Sequence, residues 1–140
     1  MREIKFRGKS VYDDSWLYGN LVIHDDAAYI VNFNDYGNDD WYEIDIETVG
    51  EYTGLKDRNG TEIYEGDIVR VYGGEYWYGC WELDIRGEVV FDVFSFGVKS
   101  KDRFYPFNYA FEPYDHKIKV IGNIFQDGDL LRDSQSPETN

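Results

Sequence analysis

The stretch Trp81-Glu82-Leu83-Asp84-Ile85-Arg86-Gly87-Glu88-Val89-Val90-Phe91-Asp92-Val93 decides the fold. Trp81, Leu83, Ile85, Val89, Phe91 and Val93 share one face, with Gly87 completing the register. Glu82, Asp84, Arg86, Glu88, Val90 and Asp92 share the other. Side chains of a strand alternate between its faces, so this pattern predicts one long strand lying half in a core. An interior glycine marks a bulge or a bend, which is expected here at Gly87. A helix would space its apolar residues by three and four, and that period hardly appears in the chain.

The same alternation recurs on both sides of this stretch. Toward the N-terminus, Tyr42, Ile44 and Ile46 alternate with Glu43, Asp45 and Glu47. Residues 27–33 are apolar on both faces, as a central strand requires. Leu17, Leu21 and Ile23 share a face with Gly19 between them, and Ile4 and Phe6 oppose Glu3, Lys5 and Arg7. Toward the C-terminus, 118–125 reads as the last strand. Asn59-Gly60 after Asp57-Arg58 is the strongest hairpin signal, because both residues tolerate positive φ. Glu65-Gly66-Asp67, Gly73-Gly74, Asp25-Asp26 and residues 34–40 mark further turns. Residues 126–132 predict one short helix weakened by Gly128. About seven to nine strands with frequent turns predict an all-β fold, a small barrel or sandwich.

A chain of 140 residues sits within the range of one domain. Such a domain buries roughly 68–70% of the surface its unfolded chain exposes. The expected division is a single β domain over 1–131 and a flexible polar tail over 132–140. Cys80 is the one cysteine, so no internal disulfide can form. With no apolar leader, a lone cysteine predicts a reducing compartment and a cytosolic location. No stretch approaches the ~20 consecutive apolar residues of a membrane span, so no membrane partner is expected.

Fourteen Lys and Arg against twenty-eight Asp and Glu leave a net charge of −14. Nucleic-acid affinity rests on cations that displace phosphate counterions, so this balance weighs against such a partner unless the cations gather on one face. Along the sequence they look scattered, from Arg2, Lys5, Arg7 and Lys9 to Lys117 and Lys119. The acidity serves solubility, or it suits a basic partner or mimics the charge of a nucleic acid.

Nucleophilic catalysis needs an activated Ser, Cys or Thr beside a base. The only histidines, His24 and His116, each adjoin an aspartate and read as rim residues. Cys80 has no cationic neighbour to lower its pKa. One cysteine and two distant histidines do not make a zinc site. The acidic pairs Asp39-Asp40 and Asp127-Gly128-Asp129 lack the alternation of a calcium loop, and Gly73-Gly74 lacks the Lys-Ser/Thr of a phosphate loop. No catalytic residue, metal or cofactor is assigned.

Aromatics make up 19% of residues. Two clusters stand out, Tyr76, Trp77, Tyr78 and Trp81 between glycines, and residues 104–114 with Tyr105 and Tyr109. Neither alternates cleanly enough to put every ring inside the domain, and exposed Tyr and Trp favour interfaces. Tyr76, Trp77, Tyr78, Trp81, Tyr105 and Tyr109 are therefore the candidate binding residues, with core and interface both open. Self-association comes ahead of a foreign partner, because homo-oligomers are common.

The order of several blocks resembles the YopX family of phage and prophage proteins. They are Met1-Arg2-Glu3-Ile4-Lys5-Phe6-Arg7-Gly8, Trp16-Leu17-Tyr18-Gly19, the long block 47–60, Ile63-Tyr64-Glu65-Gly66-Asp67-Ile68-Val69, and Val120-Ile121-Gly122-Asn123-Ile124-Phe125 with Leu130-Leu131. The resemblance covers residues 1–131, loosely over 73–101. It implies a barrel-like fold with an SH3-like portion entered at Gly66-Asp67-Ile68-Val69, and a home in the cytoplasm of a bacterial host. It implies no catalytic residues. Gly50, Gly54, Gly60 and Gly66 read as turn positions, and Tyr52, Leu55, Ile63, Tyr64, Ile68 and Val69 as core.

The functional expectation is a non-enzymatic phage accessory protein that binds protein, as a homo-oligomer and with a basic host protein as a further partner. The alternative is a nucleic-acid-binding barrel that stacks bases on Tyr76, Trp77 and Tyr78 and holds phosphates with Lys99, Lys101 and Arg103.

Overall fold

The structure, a computed structural model, describes residues 3–33, 37, 39–73, 83–92, 94–107 and 116–135. Among these the chain runs through β1 (Phe6–Ser10), β2 (Trp16–His24), β3 (Ala27–Asn32), β4 (Asp40–Lys56), β5 (Glu62–Tyr64), β6 (Asp67–Gly73), β7 (Leu83–Asp92), β8 (Ser95–Ser100), β9 (Arg103–Pro106), β10 (His116–Asn123) and the short helix α1 (Asp129–Gln135). The fold is all-β, as the alternation predicts. It has two antiparallel sheets, of order β1-β2-β3-β4-β5 and β10-β6-β7-β8-β9. β1 also pairs with β4, which closes the first four strands into a ring. By its internal contacts the chain forms two compact units, 1–54 and 55–140.

In the first unit, Ala28, Ile30 and Ile44 form a buried core with Phe6, Leu17, Leu21 and Val49 packed against it. β3 lies between β2 and β4 and buries Ile30 on one face and Val31 on the other, as a central strand should. The ring is narrow. A Cβ on Gly19 would sit 2.6 Å from the Asn32 side-chain oxygen, and one on Gly8 would collide with Ile44.

The alternation over 42–47 is borne out only at its centre. Ile44 is buried, but Tyr42 and Ile46 are exposed. Tyr42 keeps the phase of Ile44 and pairs with Ile30, whereas Ile46 is turned out by a bulge in β4. Lys9 pairs with Asp45 and Arg7 with Gly50, so the residues between are looped out of the ladder. Thr48 Oγ1 accepts from the Lys9 amide at 2.9 Å and donates to the Asp45 carbonyl at 2.6 Å. The Glu47 amide donates to Asp45 Oδ1 at 3.0 Å. The bulge shifts the phase of the strand, so Ile46 points out and Val49 returns to the core. Gly50, expected in a turn, instead lies within β4 opposite Arg7.

In the second unit, Ile63, Val69, Val71, Val89, Phe96, Val98 and Phe107 form the core, with Ile85, Tyr105, Ile118 and Val120 against it. Each such buried side chain contributes about 1.5–3 kcal/mol. Tyr52, Ile63, Tyr64, Ile68 and Val69 are buried as expected, whereas Leu55 is exposed near the end of β4. β6 starts at Asp67, after a turn in which Gly66 takes φ +94°. The Gly66 amide donates to Val89 and its carbonyl accepts from Ile124, each at 2.9 Å, tying the turn to two other segments.

β7 confirms the strand that the long alternation predicts, from Leu83 to Asp92; Trp81, Glu82 and Val93 lie outside the described residues. Phe91 continues the inward phase but is 52% exposed, and its ring meets the buried Phe96 edge-on at 5.0 Å. The ladder passes Gly87 without a register shift. The glycine is needed for closeness, because a Cβ there would sit 2.6 Å from the Lys99 carbonyl oxygen. The helix starts one residue beyond Gly128 and reaches Gln135, three residues later at each end than expected.

Candidate functional site

Of the six aromatics singled out from the sequence, Tyr76, Trp77, Tyr78, Trp81 and Tyr109 lie outside the described residues. Tyr105 sits in β9 opposite Val98, half-buried against the second core, with the Arg103 guanidinium 6.0 Å from its ring. Phe107, from the same cluster, is a core residue. Lys99 is exposed on β8 and Lys101 occupies the β8–β9 turn at φ +57°.

Exposed rings do occur elsewhere. In the first unit Tyr12, Tyr18, Phe33, Trp41 and Tyr42 are all exposed. The pairing places Asn20, Val31 and Trp41 in one row and Val22, Tyr29 and Glu43 in the next on the same sheet face. Trp41, 51% exposed, meets the Tyr29 ring edge-on at 5.5 Å. The sequence of this unit carries four Lys and Arg against twelve Asp and Glu, a net of −8. Trp41 thus stands among carboxylates, Asp40 before it and Glu43 across from Tyr29.

The second unit gathers cations that the sequence scatters. In one row across three strands, Lys119 on β10 faces Arg70 on β6, which faces Arg86 on β7. In the next row Lys117, Tyr72 and Asp84 are aligned. Alternation puts these six side chains on the sheet face opposite Val69, Val71 and Val89. Arg70 grips Asp84 with two hydrogen bonds of 2.9 Å and lies 4.5 Å from the centre of the Tyr72 ring. Arg58 reaches in from the β4–β5 turn and donates to the Tyr72 hydroxyl at 2.8 Å. Hydrogen bonding from Arg70 holds the Asp84 carboxyl below its ordinary pKa. Further along the same face, burial pushes the Glu88 carboxyl up against the opposing pull of Lys99, and Glu65 adds to the rise. The signal for this face was the alternation of cations on three strands, but its convergence depends on a register that spacing alone does not reveal.

His24 is exposed at the end of β2, 3.3 Å from Asp25, and reads as a rim residue. Asp127 accepts from the Asn123 amide at 3.1 Å and so organises a turn. Among the described residues, no group of three or more His, Cys, Asp or Glu is placed to hold a metal ion. No described helix is long and apolar enough to cross a membrane.

The family described as YopX protein matches residues 5–132. The chain belongs to the YopX family. The match agrees with the blocks quoted from the sequence and ends inside α1. Among solved structures, the YopX chain is similar to the crystal structure of protein EF1440 from Enterococcus faecalis, at 26% identity and a TM-score of 0.53, covering 94% of this chain and 99% of that one. Among curated proteins none matches.

Proposed function

We propose that this YopX protein is a phage or prophage accessory protein that acts without catalysis, by binding protein in the host cytoplasm. The observation that carries the reading is the first unit's surface, where Tyr12, Tyr18, Phe33, Trp41 and Tyr42 stand exposed in a segment of net charge −8. Exposed Tyr and Trp supply large contact area at low conformational cost, and they are enriched where proteins meet. The surrounding carboxylates steer toward a basic host protein.

The same rings support self-association into a homo-oligomer, and salt separates the two events. A basic partner is attracted by the carboxylates, so its binding weakens as salt rises. A second copy carries the same charge, so self-association strengthens. Immobilised protein should retain a basic protein from host lysate at about 50 mM salt and release it at about 0.5 M, where the Debye length is only a few ångström. Trp41→Ala should abolish that retention. Retention that is indifferent to both salt and Trp41 contradicts the reading.

A further inference from the structure

We propose that the exposed face of the β10-β6-β7 ladder, with Lys117, Lys119, Arg70, Arg86, Arg58 and Tyr72, binds single-stranded nucleic acid. The arrangement is costly. Lys119, Arg70 and Arg86 stand directly opposite one another across adjacent strands, about 4.8 Å apart in the pairing direction. Like charges so placed repel. The chain has twenty-eight carboxylates with which to relieve that repulsion. Among the described residues, Asp84 is the carboxylate hydrogen-bonded within these rows, and Arg70 takes both of its oxygens, so the charge of Asp84 on Arg86 and of Asp57 on Lys119 relieves the repulsion only in part. Arg86 is steadied by a neutral group, with Nη1 3.5 Å from the Leu130 carbonyl of α1. An anionic ligand resolves the conflict.

The aromatic ring among the cations distinguishes a nucleic acid from an acidic peptide. Tyr72 lies in the middle of the cations, its hydroxyl fixed by Arg58 and its ring flanked by the Arg70 guanidinium. Planar guanidinium and aromatic groups among lysines suit a ligand that alternates flat bases with phosphates. A peptide carboxylate uses the charges but not the planes. A single strand fits better than a duplex, because its bases are free to stack. Its charge density is also lower, which matters in a chain of net charge −14.

The test is fluorescence anisotropy of the full chain with a labelled oligothymidine. With Arg58, Arg86, Lys117 and Lys119 contacting phosphates, log K should fall with log salt at a slope of about −3. Raising salt from about 25 to 150 mM should then weaken binding by roughly a hundredfold. Lys119→Glu should weaken binding at least about tenfold and flatten the slope by about one. Lys101→Asp makes the same charge change in the β8–β9 turn and should leave affinity within about twofold. If Lys119→Glu disturbs the sheet, as circular dichroism would reveal, Arg58→Gln reports on the same face from outside the ladder. Three results overturn the proposal: no binding at low salt, equal losses from Lys119→Glu and Lys101→Asp, or competition by polyglutamate as strong as by unlabelled oligothymidine.

Discussion

Asp57 joins two distant parts of the second unit through one carboxylate. Its Oδ1 accepts from the amides of Asn59 and Thr61 at 2.8 and 2.9 Å, and its Oδ2 from Val120 at 3.0 Å. The first two bonds shape the β4–β5 turn, in which only Gly60 takes positive φ, at +86°. The hairpin at Asn59-Gly60 was legible because turn chemistry is local. The bond to Val120 was not, since nothing in the spacing announces a partner sixty-three residues away. Burial raises the Asp57 pKa, but the three backbone donors and the nearby charge of Lys119 outweigh it, and the net shift is downward. The stability this carboxylate provides is complete above its unfolded value near 3.9 and is lost as pH falls through the lower folded value. Asp57→Ala should cost about 1–3 kcal/mol at neutral pH, because it leaves three part-buried backbone amides without their acceptor. Urea unfolding at pH 7 and at about pH 3 checks both statements, and the difference between wild type and variant should shrink in acid.

Strands and their turns carry a second group of expectations. Alternation located β2 and β7, because a half-buried strand must write its two faces into the sequence, and a run apolar on both faces located the central β3. Alternation misplaced the burial of Ile46, because the bulge at 45–49 is held by a hydroxyl and a carboxylate that leave no periodic mark. Thr48→Val keeps the shape and removes the acceptor for the Lys9 amide, so it should destabilise by about 1–2 kcal/mol. Faster hydrogen exchange at the Lys9 amide would localise the effect to the ring. In the β2–β3 turn, Asp25 and Asp26 both take positive φ, at 50° and 67°. Such two-residue hairpins favour Asn-Gly. Asp25→Asn with Asp26→Gly should therefore stabilise by about 0.5–1 kcal/mol, read as a higher urea midpoint at an unchanged slope. Gly87→Ala should do the reverse, at about 2 kcal/mol, because its Cβ would press on the Lys99 carbonyl in the neighbouring strand.

At the scale of the whole molecule, composition and block order were enough to identify an all-β YopX chain, since family blocks and alternation both lie along the sequence. The closing of β1 onto β4 and the alignment of Lys119, Arg70 and Arg86 were not legible, because both are set by long-range register. Net charge hid the same fact, as −14 describes the sum and not the faces. Self-association through the exposed rings predicts an oligomer in light scattering whose mass rises with concentration and with salt; a monomer throughout would contradict that part of the reading. The central claim, that the first unit binds a basic protein, is tested most directly by placing a photo-crosslinking phenylalanine analogue at Trp41 and irradiating host cells that express the full chain. The account predicts an adduct with a basic host protein that is absent when the analogue replaces Lys101. No adduct at position 41, or the same adducts from both positions, would contradict it.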